Sequence, residues 1–166
     1  MPPPHSVRLA RPEDAEEIRR IYNREVTDSS ATLDLVPRTA AEQARWMHEH
    51  AGAYAAVVAL SPEAQVAGFA SLSPYRSRPG YSTTVEDSVY VDAAHRGAGV
   101  GRLLLSELVH LAATSGFHTV IARITAPQEP SLALHRSCGF TLVGVEREVG
   151  RKFGRWLDVA VMQRVL

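Results

Sequence analysis

Glu86-Asp87-Ser88-Val89-Tyr90-Val91 is followed closely by His95-Arg96-Gly97-Ala98-Gly99-Val100-Gly101-Arg102 and then by Leu103-Leu104-Leu105-Ser106-Glu107-Leu108-Val109. The run reads as a buried strand, a glycine loop with two arginines, and the first turns of a helix. Glycine lets a backbone approach a ligand closely. The free N–H groups at a helix start, with the positive end of its dipole, attract anionic oxygens. A diphosphate fits that description, although a tight strand-to-helix turn uses the same glycines. Two nucleotide motifs fail on the letters. A dinucleotide fingerprint needs Gly or Ala where Arg102 stands and an acidic residue about 20 positions on, where Thr119-Val120-Ile121 lies. A Walker loop needs Gly-Lys-Ser/Thr, which is absent.

Outward from this stretch the chain alternates strand and helix patterns. Val7 to Ala10 reads as a strand, and Pro12-Glu13-Asp14 opens a helix carrying Ala15, Ile18, Ile21, Tyr22 and Val26 on one side. Thr27 to Pro37 is polar and aperiodic. Thr39 and Glu42 then form a capping-box pattern for a helix reaching about His50. Tyr54 to Leu60, Gln65 to Leu72 and Thr83 to Val91 are strand-like. The loop from Ser73 to Tyr81 mixes Pro, Ser and Gly with two arginines and two tyrosines, a composition suited to recognition. A helix is predicted from about Gly101 to Ser115, ended by Gly116. A strand over Thr119 to Ile124, a short helix from Pro130 to Cys138, and strands over Thr141 to Val149 and Trp156 to Gln163 complete the pattern. Neither a repeat nor a linker divides it, so one domain over 1–166 is expected, with 1–5 as a frayed lead-in.

Composition narrows the function classes. At 166 residues, 45% apolar and 22% charged, the chain matches a soluble globular domain. Its 18 basic residues balance 18 acidic ones, which argues against nucleic acid and for a small ligand. No run approaches the roughly 20 apolar residues of a membrane span, and the N-terminus lacks a signal-peptide pattern. The single Cys138 suits a reducing compartment, so a cytoplasmic protein is expected. His48-Glu49-His50 lacks the spacing of a zinc helix, and no metal is expected.

Arg96-x-x-Gly99-x-Gly101 between a strand and a long helix resembles the pyrophosphate motif of the GNAT family of N-acetyltransferases. Ser131-Leu132-Ala133-Leu134-His135-Arg136-Ser137-Cys138-Gly139-Phe140 is similar to that family's short helix ending in Gly-Phe. Three further stretches resemble the phosphinothricin and methionine sulfoximine acetyltransferases: Val85 to Val91, Leu134-His135, and Val149 to Asp158. The similarity covers Val7 to Gln163.

The resemblance implies an α/β fold of GNAT type: a mixed, twisted central sheet, helices on both faces, and a splayed strand pair that admits acetyl-CoA as co-substrate. It implies direct acetyl transfer to the α-amino group of a small amino acid or analogue, in a homodimer. Glu86 matches the general base and His135 a histidine near the acceptor. Val89, Tyr90 and Val91 correspond to the pantetheine-binding strand, with Gln128 and Ser137 on the other wall, and Arg96, Gly97, Ala98, Gly99, Val100 and Gly101 to the diphosphate loop. Arg76, Gly80 and Tyr81 correspond to the substrate loop, where a guanidinium could clamp a carboxylate. Asp87, Gln128 and Leu33 depart from the family, which more often has His, Asn and Phe there. An acetyltransferase for protein N-termini or other amines, and a non-catalytic acyl-CoA-binding module, remain as alternatives.

Overall fold

The computed structural model describes residues 5–125 and 129–166. Among these, the elements run β1 (Ser6–Leu9), α1 (Ala15–Asp28), α2 (Ala40–Glu49), β2 (Ala56–Leu60), β3 (Val66–Pro74), β4 (Thr84–Val91), α3 (Val100–Thr114), β5 (Thr119–Thr125), α4 (Glu129–Ser137), β6 (Thr141–Lys152) and β7 (Arg155–Val165). Every periodic segment of the sequence becomes the predicted type of element.

The helices form for local reasons. Ile18, Ile21, Tyr22 and Val26 recur at helical spacing in α1 and are buried, while the outer side carries Arg19–Glu16 and Arg20–Glu17 pairs. Helix α2 has the capping box read from its letters: Glu42 N–H donates to Thr39 Oγ1 at 3.2 Å, and Thr39 N–H to Glu42 Oε2 at 2.7 Å. Helix α3 starts at Val100, one residue earlier than expected, because Gly99 at φ 80° turns the chain directly into it.

The strands form one sheet in the order β1-β2-β3-β4-β5-β7-β6. Only β4 and β5 pair in parallel, joined by a crossover through α3; the other neighbours are antiparallel. Strand β6 runs three residues past its expected end, because a turn at Phe153-Gly154, both at positive φ, carries its pairing with β7 out to Lys152↔Arg155. On one face α3 covers Ala70, Leu72, Val85, Val120 and Met162 around the fully buried Leu104 and Leu108. On the other, α1 buries Ile18, Ile21 and Tyr22 against Val58, Val66 and Phe69. The mixed sheet with helices on both faces is the architecture expected from the sequence.

One irregularity interrupts the sheet. Pairing between β4 and β5 covers Thr84↔Thr119 to Asp87↔Ala122 and stops there. Strand β4 continues to Val91 on β3 alone, and β5 continues to Thr125 on β7 alone. The two strands part after Asp87, leaving backbone groups unpaired on both sides of the gap.

Candidate active site

A cleft of about 900 Å³ opens at this gap. Asp92 N–H donates to Ala67 O, so by the alternation of an antiparallel ladder Tyr90 also faces β3, while the N–H and C=O groups of Val89 and Val91 face the gap. At one end stands the glycine loop. Gly97 and Gly99 have φ of 77° and 80°, and a Cβ on either would meet no atom within 4 Å, so the loop presents bare backbone to open space. The first backbone bond of α3 runs from Leu103 N–H to Gly99 O, and no side chain caps the helix. The N–H groups of Val100, Gly101 and Arg102 therefore point without helical partners toward the cleft they line.

The two carboxylates of β4 fall on opposite sides of the sheet, because successive side chains alternate. Glu86 lies on the face bordered by α1 and α2 and is half-buried. Burial pushes its carboxyl up from the usual range; Arg123 opposes the shift, and the charges of Asp87 and Glu146 add to it. No hydrogen bond among the described residues restrains it. A half-buried carboxyl with a raised pKa and free oxygens is suited to accept a proton from a ligand.

Asp87 lies on the other face, where it meets α4. His135 is buried, with Nε2 at 2.7 Å from Asp87 Oδ2 and Nδ1 at 2.7 Å from Ser131 O. Both oxygens are acceptors, so an imidazolium satisfies both contacts. Burial alone would push His135 down, but the bond to Asp87 and its charge outweigh it and hold the ring above the ordinary imidazole range. Asp87 Oδ1 is buried and has no partner among the described residues, in a side chain that lines the cleft.

The cleft wall takes in Glu86, Val89, Tyr90, Val91, Arg96, Gly97, Gly99, Val100, Gly101 and His135. Ala98, Ser137, Arg76, Gly80 and Tyr81 lie off that wall. Arg76 is exposed, its guanidinium over the rings of Tyr75 and Tyr81 at 5.0 and 5.9 Å, and Ser137 Oγ donates to Leu134 O at 2.7 Å. Gln128 lies outside the described residues. The Arg96 side chain turns to the buried Glu25 of α1 and to Val91 O, so the loop faces the cleft with backbone rather than with that guanidinium.

Sequence reasoning missed Glu25, Arg123, Glu146 and Lys152. Lys152 is buried, its Nζ donating to Thr32 O at 2.8 Å and Glu25 O at 3.3 Å, and burial lowers its pKa. These bonds tie the β6–β7 hairpin to the loop after α1. Leu33 of that loop lies so close to Gly150 that a Cβ there would come within 2.8 Å of it. Lys152 stands in a basic run with Arg147, Arg151 and Arg155, so nothing in its letters marks it as the buried member.

The chain matches the acetyltransferase (GNAT) domain family over residues 7–161. It is 41% identical over 157 residues to a phosphinothricin N-acetyltransferase of Streptomyces coelicolor, covering 93% of this chain and 92% of the relative. It is 39% identical over 163 residues to an L-methionine sulfoximine/L-methionine sulfone acetyltransferase of Salmonella typhimurium, covering 95% and 92%. Among solved structures, a GNAT superfamily phosphinothricin acetyltransferase from Sinorhizobium meliloti in complex with acetyl-CoA superimposes with a TM-score of 0.93 at 41% identity, covering 98% of this chain and 88% of that one.

The Asp87–His135 pair generates a pH prediction. A histidine raised in the fold adds stability that is complete below its unfolded pKa of about 6.5 and is lost as pH rises through the folded value. Thermal melts should therefore show the largest Tm advantage of the wild type over Asp87→Asn between about pH 5 and 6.5, shrinking above it. A difference independent of pH would mean that the pair is not ionised.

Proposed function

The chain belongs to the GNAT acetyltransferase family, and from that premise we propose that it transfers the acetyl group of acetyl-CoA to the α-amino group of a small amino acid of the phosphinothricin, methionine sulfoximine or methionine sulfone type. The observation that carries the reading is Glu86, half-buried with a raised pKa at the point where β4 and β5 part. The cleft suits the donor: bare backbone at Gly97 and Gly99, the free helix start at Val100, Gly101 and Arg102, and the unpaired edge at Val89 and Val91 match a diphosphate followed by an amide-bearing arm.

When bound, acetyl-CoA would supply an activated thioester, whose C–S bond is exchanged for a C–N bond to the acceptor, the CoA sulfur leaving as a thiolate that takes up the proton the nitrogen sheds on becoming an amide. Glu86 accepts a proton from the acceptor's ammonium, directly or through a water, because only the neutral amine has a lone pair for attack. The Val89 and Val91 N–H groups are placed to hold the thioester oxygen as negative charge grows on it. His135 has both ring nitrogens engaged and acts as a positioning residue: it fixes Asp87 with Oδ1 free for a donor entering from the α4 side. Holding both substrates in one cleft replaces a bimolecular encounter, and no acyl-enzyme is required.

The reading extends to a homodimer in the cytoplasm. Strand β6 is the outer edge of the sheet, with Leu142, Val143 and Val149 exposed along it and Trp156 beside its turn. An edge so apolar is an association surface, and a second copy of this chain is its proposed partner. The unpaired Cys138 is consistent with a reducing compartment.

Thiol release from acetyl-CoA tests the chemistry. Glu86→Gln should lower kcat/KM with methionine sulfone by on the order of 10² or more near neutral pH while acetyl-CoA affinity persists. Unchanged turnover would remove Glu86 from the role. For the donor site, Gly99→Val should abolish acetyl-CoA binding in calorimetry, since valine is strained at φ 80° and fills the diphosphate approach. Normal affinity would contradict that assignment.

A further inference from the structure

The acceptor side of the cleft holds a cation that the transfer chemistry above does not use. Arg123 is the first residue of β5 beyond the last pair with β4. Its neighbours Ala122 and Ile124 join the core beneath α3, so alternation places Arg123 on the opposite face, the one that carries Glu86. It lines the cleft and reaches across β7 to Glu146, with Nη1 at 2.5 Å from Oε1 and Nη2 at 3.0 Å from Oε2. The two side chains are 30% and 39% exposed. Both side chains are open enough to water for another carboxylate to reach the guanidinium and compete with Glu146.

An α-amino acid carries its ammonium and its carboxylate on the same carbon. A base for the first and a cation for the second must therefore stand within the span of one small molecule. Arg123 meets that condition: it stands two residues past Ile121, the register partner of Glu86 on the adjacent strand, and lines the same cleft. Arg76 does not line the cleft, and its guanidinium rests on Tyr75 and Tyr81.

Building on the amino-acid acetyltransferase reading, we propose that Arg123 is the residue that recognises the acceptor's α-carboxylate, exchanging its two-bonded contact with Glu146 for the same contact with the substrate. The planar guanidinium fork fits either carboxylate equally. Exchanging one anion for another leaves the local charge balanced. An amine without a carboxylate leaves Arg123 on Glu146 and gains no such contact, which is the source of discrimination. Glu146 acts as the placeholder that holds Arg123 extended over β7.

The test compares kcat/KM for methionine sulfone with that for the amine left when its carboxylate is removed. Loss of Arg123 also alters the field on Glu86, but both acceptors share that change, so their ratio isolates the carboxylate. The wild type should prefer the acid by on the order of 10². Arg123→Ala should collapse the ratio to within about 3-fold of unity, chiefly through a rise in KM for the acid, and Arg123→Lys should restore part of it, which a folding defect would not do. Glu146→Gln should keep or increase the preference. An unchanged ratio in Arg123→Ala, or a collapse in Arg76→Ala instead, overturns the assignment. A wild type that acetylates neither compound contradicts the amino-acid reading itself. Calorimetry of methionine sulfone with the acetyl-CoA complex then decides Arg123 alone, equal affinity in wild type and Arg123→Ala overturning it.

Discussion

The arrangement depends on a place where hydrogen bonding stops. Strands β4 and β5 pair through Asp87↔Ala122 and then separate, although each keeps its other neighbour. A buried sheet interior rarely leaves backbone donors and acceptors unmatched, because each costs about as much as a lost hydrogen bond. The gap is tolerable here because it opens into a cleft, where water or a ligand can complete the ladder. The parallel crossover through α3 then brings an uncapped helix start to one end of the same gap. Backbone geometry, more than any single side chain, shapes the part of the cleft that we propose takes an amide-bearing, diphosphate-tailed donor.

Side-chain alternation divides the labour around that gap. Glu86 and Asp87 are neighbours in sequence but sit on opposite faces, so the half-buried carboxyl open to the cleft is separated from the one fixed by His135. Each face also has its own electrostatics. On the face of Glu86, the charges of Glu86, Arg123 and Glu146 alternate in sign, which suits a zwitterionic ligand. On the other face the Asp87–His135 pair is buried at the cleft wall, and Asp87 Oδ1 has no partner among the described residues. Lys152 and Gly150 anchor the hairpin and the Leu33 loop beside the cleft, giving that loop a defined position despite its aperiodic sequence.

The fold was largely legible because its signals are local. Helical spacing in α1, the Thr39–Glu42 box and the glycines around α3 each act within a few residues, and their elements lie where their letters place them. The cleft lining between Val89 and Gly101, which we propose holds the donor, was legible for the same reason, since it is one continuous stretch. The acceptor half was not. Arg123 comes onto the face of Glu86 only through the parallel register of β4 and β5, and meets Glu146 only because β7 lies between β5 and β6. Neither relation leaves a mark at the level of spacing. Asp87 read as a departure from its family, and only the position of α4 shows it to be the partner of His135.

The central claim is that the unpaired edge of β4 and the start of α3 together seat acetyl-CoA. Amide hydrogen exchange, resolved by residue with and without acetyl-CoA, tests it directly. Binding should slow exchange at Val89 and Val91, whose N–H groups face the gap, and at Val100, Gly101 and Arg102, whose helical partners are missing. It should do far less at Tyr90, which is already bonded to β3. Protection confined to other segments, with Val89, Val91 and the α3 start unchanged at saturating acetyl-CoA, would contradict this account.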